Sequence, residues 1–407
     1  MSPAEPYDLL IVGAGPAGLA AANAARVCGL RYVVLERDAI AQTICDYPVK
    51  RPLHSPPQDI ELAWGEAFAS RPPNVSREEI LAHYRQFSTR HGLEIREYEG
   101  VEQIQRDAGD FLVCTRRGTY RAAKLLIATG GFGIARRLNV PGEGDAPMRY
   151  RFVHGRGCAG REVLVVGGGN SAAEAALWLH EASAKVTLSL RRPSFAPRHG
   201  VVDAYTAVKP FNVAPLQMLA ARGEVRILFS SRIVALARDA ATLETENRRV
   251  RLPCHRVFAL LGADPDLTLL RQAGAAIAAD GRPVYDPQSY ETSVAGLYVA
   301  GHLTRELHIP RAVVIAPRIV HRIAGRVPAA RGASLPLDLV ARAAKSLRRR
   351  NALARRLIRD YPWLREPVQS ADAANVLRDH RLSTAWKLVS RYPRVRGLLR
   401  TLRAYAS

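Results

Sequence analysis

The chain is predicted to be an α/β protein built from two Rossmann-like domains, the second inserted in the first, with an α-helical tail at the C-terminal end. Two glycine-rich turns carry this prediction, because each joins an apolar strand to a helix of small residues, at 9–25 and 163–176. A strand that is apolar throughout is typical of a parallel sheet covered on both faces. The tail is predicted from a basic stretch of helical spacing that follows residue 330.

The first glycine-rich turn, Gly-x-Gly-x-x-Gly, matches a dinucleotide-binding fingerprint. Gly13 permits the tight turn, Gly15 lets a pyrophosphate approach the backbone, and Gly18 allows close contact between helix and strand. The helix N-terminus offers free N–H groups and its positive dipole end to the phosphates. Glu36 ends the next apolar strand, where an acidic side chain would hold the ribose hydroxyls. The first site is therefore predicted to include Gly13, Gly15, Pro16, Ala17, Gly18 and Glu36.

A second turn, Gly-x-Gly-x-x-Ala at 167–172, predicts another nucleotide site. The strand that follows it, over 185–190, ends not in an acid but in Arg191 and Arg192. An acid would bind a free 2′-hydroxyl, whereas arginine suits a 2′-phosphate with bidentate geometry, so NADPH is favoured over NADH. The alternative is that the two arginines only end a solvated strand. The predicted residues of this site are Gly167, Gly169, Asn170, Ser171, Ala172, Arg191 and Arg192.

Two nucleotide units with Ala128-Thr129-Gly130 between them and Ala300-Gly301 after them resemble the two-dinucleotide-binding-domain flavoproteins. The chain has no long interface domain after residue 330, which is similar to the low-molecular-weight thioredoxin reductase branch and, within it, to bacillithiol-disulfide-reductase-like proteins. The resemblance implies FAD in the first site and NAD(P)H in the second. It also implies further cofactor-binding positions, namely Arg37, Val101, Thr129, Gly130, Gly262, Gly301 and His302.

The same resemblance divides the chain into four parts. Residues 1–145 would be the first part of an FAD-binding domain and 146–264 the NAD(P)H-binding domain. Residues 265–330 would return to the FAD-binding domain, and 331–407 would form a basic helical extension.

The chain departs from these relatives in four places. It has no C-x-x-C motif, and Ala17 stands where bacillithiol-type relatives tend to carry a cysteine. His302 replaces the usual acid after the last Ala-Gly, which removes one expected contact to the FAD ribityl chain. The tail has no counterpart. The resemblance therefore implies the fold and the cofactors, but not a disulfide substrate.

The predicted function is that of an FAD-dependent NAD(P)H oxidoreductase, passing hydride from NADPH to FAD and then electrons to a small-molecule or small-protein acceptor. The alternatives are a disulfide reductase using Cys45, a flavin monooxygenase, a ferredoxin or flavodoxin reductase, and a non-enzymatic NADPH-sensing adaptor. By resemblance Cys45 lies in a loop beside the flavin, but Asp46 would raise the pKa of its thiol. His302 and His308, near the helix that opens at Pro310, are candidate proton donors, with capping or surface packing as the alternative.

The composition adds a strong positive charge. The chain has 407 residues, 48% of them hydrophobic, and a formal net charge of +22. From Arg331 onward, 18 Lys and Arg face 5 acids, so the tail supplies more than half of that charge. The tail is expected to dock on the body or on a partner, with an anionic membrane surface as the alternative. The sequence has no reading-helix or aromatic-platform motif, which argues against nucleic acid.

The sequence does not predict a membrane span, a signal peptide or a metal site. No apolar run reaches the length of about 18 residues needed to span a membrane. The first strand begins within about ten residues of Met1, which leaves no room for a signal peptide. Five cysteines are scattered without metal-ligand spacing, so no metal is predicted and a reducing cytoplasm is expected. The chain is expected to form a homodimer. Peripheral contact with the membrane is a further alternative.

Overall fold

The computed structural model describes residues 5–53, 55–63, 66, 68, 74–196, 208–246, 248–304 and 308–325. The predicted helical extension, 331–407, lies outside the described residues. The elements of the chain's first part are β1 (Tyr7–Val12), α1 (Pro16–Cys28), β2 (Tyr32–Leu35), α2 (Gln42–Cys45), α3 (Arg77–Arg90), β3 (Ile95–Arg96), β4 (Val101–Asp107), β5 (Asp110–Thr115), β6 (Gly118–Ile127) and β7 (Ile134–Ala135).

The middle part of the chain forms a second set of elements. They are β8 (Met148–Arg149), β9 (Glu162–Val166), α4 (Asn170–Glu181), β10 (Lys185–Ser189), α5 (Pro210–Ala221), β11 (Val225–Leu228), β12 (Arg232–Leu236), β13 (Ala240–Glu244), β14 (Arg249–Pro253), β15 (Arg256–Ala259) and β16 (Ala263–Asp264). The last described elements are α6 (Thr268–Gln272), β17 (Leu297–Val299) and α7 (Ile309–Ile323).

The first sheet joins strands from both ends of the described chain. Its order is β3-β2-β1-β6-β5-β4, and β17 pairs with β6 in parallel. The β3-β2-β1-β6 part is parallel, while β4, β5 and the first half of β6 form an antiparallel meander. We call the part of the molecule built on this sheet the first lobe. Helix α7 packs along α1 on one face of the sheet, around a core that includes Leu19, Ala316 and Val320.

The second sheet is wholly parallel, in the order β11-β10-β9-β15-β8. A separate antiparallel meander, β12-β13-β14, follows it in the chain. We call residues 148–259, which carry both sheets, the second lobe. The short strands β7 and β16 pair with each other at the two points where the chain passes between the lobes. The α/β fold with two sheets that have parallel cores is confirmed, while the domain boundaries stay a prediction.

Both parallel sheets share the topology that creates a ligand crevice. In the first lobe β1 lies between β2 and β6, and in the second lobe β9 lies between β10 and β15. From β1 the chain passes through α1 to β2, whereas β6, on the other side of β1, belongs to a later part of the chain. Such a switch point opens a crevice at the carboxyl ends of the strands, where ligands bind in open α/β sheets.

Candidate functional site

The three glycines of the first turn meet different surroundings. Gly13 has φ +104°, and a Cβ added there would lie 2.7 Å from the carbonyl oxygen of Ala128. A Cβ added at Gly18 would overlap the carbonyl oxygen of Gly13. A Cβ added at Gly15 would meet no atom within 4 Å. The fold itself therefore requires Gly13 and Gly18, whereas Gly15 faces a cradle that the protein leaves open.

The second turn repeats this arrangement. Gly167 has φ +149°, and an added Cβ would overlap the carbonyl oxygen of Leu260. Gly169, like Gly15, faces open space, with no atom within 4 Å of an added Cβ. Ala172 takes the third position and is fully buried, so the helix and strand here have room for one methyl group.

A helix begins at each open glycine. Gly15 is the N-cap of α1 and Gly169 is the N-cap of α4, and neither helix start receives a side-chain capping bond or an acidic residue in its first turn. Helix α1 has Pro16 at its start, the position where a missing N–H costs least. The first-turn N–H groups and the positive dipole ends thus point at two open cradles. That combination suits an anion such as a pyrophosphate.

Glu36 directly follows β2 and is held by two backbone donors. The N–H of Ala14 donates to its Oε2 at 2.7 Å, and the N–H of Asp38 donates to its Oε1 at 2.9 Å. Burial raises the pKa of the Glu36 carboxyl, and the two N–H donors oppose that shift. The carboxylate therefore lies fixed beside the first glycine turn. Arg37 is exposed, and Val101 begins β4.

The ends of β6 and β17 bring several predicted residues together. Thr129 and Gly130 follow β6, while Gly301 and His302 follow β17, and the two strands are parallel neighbours. A Cβ added at Gly301 would lie 3.0 Å from the Cβ of Ala17. The same added atom would lie 4.0 Å from the Cβ of Ala312, in the first turns of α7. The first glycine turn, the ends of two strands and the start of α7 therefore meet at one edge of the sheet.

His302 is packed into this edge. A Cβ added at Gly131 would lie 2.8 Å from its ring, and the Phe132 ring stands edge-on to it at a centroid distance of 5.0 Å. Burial lowers the pKa of His302, and the charge of Arg282 adds to that effect. His308 is the N-cap of α7, with a φ of +86° that costs a non-glycine residue energy. The structure thus places His302, and not an acid, beside the cleft.

Arg282 was not among the predicted site residues. Its Nη1 donates to the carbonyl oxygen of Thr304 at 2.8 Å, which holds the turn that carries His302. The flanking Gly281 and Pro283 indicate a turn at this position, but no local pattern indicates the role of Arg282. Its contact with the 301–304 turn is long-range and is not readable from spacing.

The two arginines at the second site differ in role. Arg192 donates from Nη2 to the carbonyl oxygen of Gly168, inside the glycine turn, and from Nη1 to the carbonyl oxygen of Ala196 at 3.2 Å. Arg191 is exposed. Arg192 therefore braces the turn itself, while the Arg191 guanidinium lies in solvent after the end of β10.

Three further predicted residues surround the second turn. The Asn170 side chain accepts the N–H of Lys209 at 2.8 Å and the amide of Asn212 at 3.1 Å, so it ties α4 to the start of α5. Ser171 is exposed at the start of α4. Gly262, with φ +84°, follows β15, and its carbonyl oxygen accepts the N–H of Arg136 at 3.1 Å.

Cys45 ends α2 and is half-buried. Its Sγ lies 3.8 Å from the carbonyl oxygen of Ile40. Burial raises the pKa of this thiol, Asp46 raises it further, and the nearby guanidinium groups of Arg85 and Arg77 oppose the shift. All five cysteines are unpaired, with Cys28, Cys158 and Cys254 buried. A neutral thiol is therefore favoured at Cys45.

Two other kinds of feature are absent from the described residues. Nowhere in them do three His, Cys, Asp or Glu side chains come together as metal ligands would. Among the helices with described residues, none has the length and apolar character to cross a membrane.

The comparisons with known proteins agree with this geometry. The family model described as pyridine nucleotide-disulphide oxidoreductase matches residues 10–301. Bacilliredoxin reductase of Bacillus subtilis is 27% identical over 295 residues, which cover 72% of this chain and 88% of that protein. A ferredoxin–NADP reductase of Burkholderia vietnamiensis is 33% identical over 311 residues, covering 73% of this chain and 80% of that one.

A solved structure gives the same result. Bacillithiol disulfide reductase from Bacillus cereus is 28% identical, with a TM-score of 0.73, and the match covers 79% of this chain and 100% of that one. The resemblance stated from the glycine turns is thereby confirmed. The chain belongs to the pyridine nucleotide-disulphide oxidoreductase family.

Proposed function

We propose that this protein is an NADPH-dependent flavin oxidoreductase, with FAD in the first lobe and NADPH in the second. Bound FAD would supply the redox chemistry by which two electrons pass from NADPH to an acceptor. One observation carries the proposal: both lobes have a glycine turn whose middle glycine faces open space at the start of a helix. Two cradles of one design in one chain fit two dinucleotides.

The residues of the first lobe fit the parts of FAD. The open cradle at Gly15 suits the pyrophosphate, and Glu36 stands where ribose hydroxyls would be held. Thr129, Gly130, Gly301 and His302 line the edge where β6 and β17 end. An uncharged His302 can still exchange hydrogen bonds with ribityl hydroxyls, because a neutral imidazole has one donor and one acceptor nitrogen.

The second lobe fits NADPH through Gly169 and the exposed Arg191. The Gly169 cradle suits the pyrophosphate, and Arg191 supplies a guanidinium for the 2′-phosphate that distinguishes NADPH from NADH. Arg192 contributes indirectly, because its bond to the Gly168 carbonyl oxygen fixes the turn.

Direct transfer from FAD to the acceptor is favoured over transfer through thiols. The chain has no C-x-x-C, and three of its five cysteines are buried in the lobes. Relatives are named for protein acceptors, ferredoxin in one case and bacilliredoxin in another. We therefore propose a small carrier protein or a small molecule such as a quinone as the acceptor.

A second candidate, disulfide reduction through Cys45, has one observation in its favour. Two arginines, Arg77 and Arg85, lie near its thiol and would favour a thiolate, although burial outweighs them.

The experiment that separates the two candidates is an anaerobic acceptor screen with NADPH, using quinones, dyes, ferredoxin and low-molecular-weight disulfides. It compares the wild-type protein with Cys45→Ser and with Cys114→Ser, a matched control because Cys114 is also half-buried.

The expected result is equal turnover in all three proteins with a quinone, dye or carrier protein. Loss of all turnover in Cys45→Ser alone, with FAD retained, would replace direct transfer by thiol chemistry. If none of the acceptors supports turnover although FAD is bound, the NADPH-sensing alternative is favoured.

A further inference from the structure

A buried ion pair joins the two lobes. Nη2 of Arg51, in the first lobe, lies 3.0 Å from Oε2 and 3.3 Å from Oε1 of Glu174, in the second. The side chains are 20% and 8% exposed, and Arg51 also lies over the Tyr47 ring, 4.7 Å from its centroid. Most ion pairs in the described residues lie at the surface, where such pairs contribute little. This one is partly withdrawn from solvent, and removing Arg51 would leave the buried Glu174 carboxylate without its partner.

Both members of the pair stand on rigid supports. The N–H of Arg77, at the start of α3, donates to the carbonyl oxygen of Arg51 at 2.8 Å. The N–H of Leu53 donates to the carbonyl oxygen of Val75 at 2.7 Å. Glu174 lies on α4, about one turn beyond the glycine at which that helix begins. The pair therefore connects fixed backbone in one lobe to fixed backbone in the other.

The segment that carries Arg51 also leads back to the first glycine turn. The N–H of Ala41, just before α2, donates to the carbonyl oxygen of Ala14 at 3.0 Å. After α2, Asp46 forms an ion pair with Arg151, and the N–H of Val49 donates to the carbonyl oxygen of Val153 at 3.0 Å. A continuous series of contacts thus runs from one cradle to the other.

Among its described residues, the second lobe has no exposed thiol that could react with a flavin. Its cysteines, Cys158 and Cys254, are both buried. Since neither cysteine among the described residues of this lobe is exposed, NADPH would be the redox group that it brings to the flavin, and a single docking would then serve the whole reaction.

Building on the proposed function, we propose that Arg51 and Glu174 are positioning residues. They hold the second lobe docked on the first in the arrangement used for hydride transfer, and the lobes remain docked through turnover. A small displacement of one lobe would separate the reacting groups, and hydride transfer depends steeply on their distance.

The first test is anaerobic stopped-flow reduction of the FAD-loaded protein by NADPH, read from the flavin absorbance. In Arg51→Gln and Glu174→Gln the limiting rate should fall by about tenfold to a hundredfold. The NADPH concentration at half-maximal rate should stay unchanged, because the cradle at Gly169 is untouched. The charge-reversed double variant Arg51→Glu/Glu174→Arg should recover most of the rate. Arg232→Gln, which removes an exposed ion pair within the second lobe, is the control and should keep the wild-type rate.

The second test needs no activity. Val49 and Val153 are both partly exposed and are joined by a backbone hydrogen bond, so Val49→Cys/Val153→Cys should form a disulfide between the lobes on mild oxidation. Mass spectrometry should show that this disulfide forms about tenfold more slowly when Arg51→Gln is added. The locked protein should still be reduced by NADPH at the rate of its unlocked form.

Two results would overturn the proposal. One is an unchanged limiting rate in Arg51→Gln and Glu174→Gln; the other is a locked protein that NADPH no longer reduces. If Glu174→Gln does not fold, Arg51→Gln and the locked variant still decide the question. Failure of NADPH to reduce the wild-type flavin would instead overturn the proposed function, so the two failures are distinguishable.

Discussion

At the scale of single residues, the open glycines separate ligand binding from folding. Gly15 has φ −74° and no atom within 4 Å of an added Cβ, so a larger side chain there is compatible with the fold. We predict that Gly15→Val folds but is purified without FAD, because the valine fills the pyrophosphate cradle. Flavin absorbance and thermal unfolding check this together.

The matched control is Gly144→Val. Gly144 is exposed and also meets no atom within 4 Å, but it lies in a loop away from both turns. It should keep its flavin. A Gly15→Val protein with full flavin content would contradict the assignment of the first cradle.

The arginines after β10 give a prediction about cofactor choice. Arg191→Ala should weaken NADPH use by about tenfold to a hundredfold, the effect of losing one charge-assisted contact worth about 1.5–3 kcal/mol, and leave NADH use nearly unchanged. Arg192→Ala should weaken both cofactors, because its bond to Gly168 holds a turn that both would use. The measurement is kcat/KM for each cofactor. An equal loss for both cofactors in Arg191→Ala would show that this side chain does not read the 2′-phosphate.

His302 makes stability depend on pH in a definite direction. Its pKa is lowered in the folded protein, so on acidification the unfolded chain takes up a proton first. The stability linked to His302 is therefore present above about pH 6.5 and is lost as the pH falls below it. We predict that His302→Asn loses less unfolding free energy than the wild type between about pH 7 and pH 5. The exposed His154→Asn should follow the wild-type curve, and a His302→Asn curve parallel to wild type would contradict the argument.

At the scale of elements, local signals predicted most of what lies along the chain. The strand, glycine turn and helix at 9–25 are readable because each part has its own pattern. Ser76 is the N-cap of α3 and forms a capping box with Glu79, a pairing that follows from a serine three residues before a glutamate. Pro317 lies inside α7, where proline usually kinks or breaks a helix, yet α7 is continuous from Ile309 to Ile323. Its buried face against α1 keeps the helix together despite the lost hydrogen bond.

The sequence did not predict the contacts between segments that are far apart in the chain. The sequence did not predict that the Asn170 side chain accepts hydrogen bonds from Lys209 and Asn212, and its role in binding NADPH stays a prediction. The bond from Arg192 to the glycine turn and the pair between Arg51 and Glu174 likewise join residues far apart in the chain. No local pattern encodes such pairs, because they depend on how two finished lobes and their loops pack.

The last described helix sets where the first lobe ends. Helix α7 packs on α1 and ends at Ile323, so the first lobe is complete before the basic tail begins. A chain truncated after Val327 should bind FAD as the full chain does. A truncated chain that no longer binds FAD would contradict this prediction.

The full chain should sediment with anionic vesicles, less so at high salt, if the tail contacts membranes. Absence of sedimentation at every salt concentration would remove the membrane alternative.

At the scale of the whole molecule, two lobes of one design face each other across a small set of fixed contacts. Each lobe supplies an open glycine at a helix start, and the 41–51 segment links the first turn to the second lobe. This arrangement suits transfer between two bound dinucleotides within one chain. It requires no dithiol, and all five cysteines stand apart and unpaired.

We propose that electrons enter from NADPH and are held by the flavin alone before they leave. The most direct measurement is an anaerobic titration of the FAD-loaded protein with NADPH, followed at the flavin absorbance and by counting free thiols. A hydride carries two electrons, so about one equivalent of NADPH per flavin should complete the reduction, with the thiol count unchanged. Uptake of about two equivalents with new thiols appearing would reveal a second redox centre, and no bleaching at any NADPH concentration would contradict the account altogether.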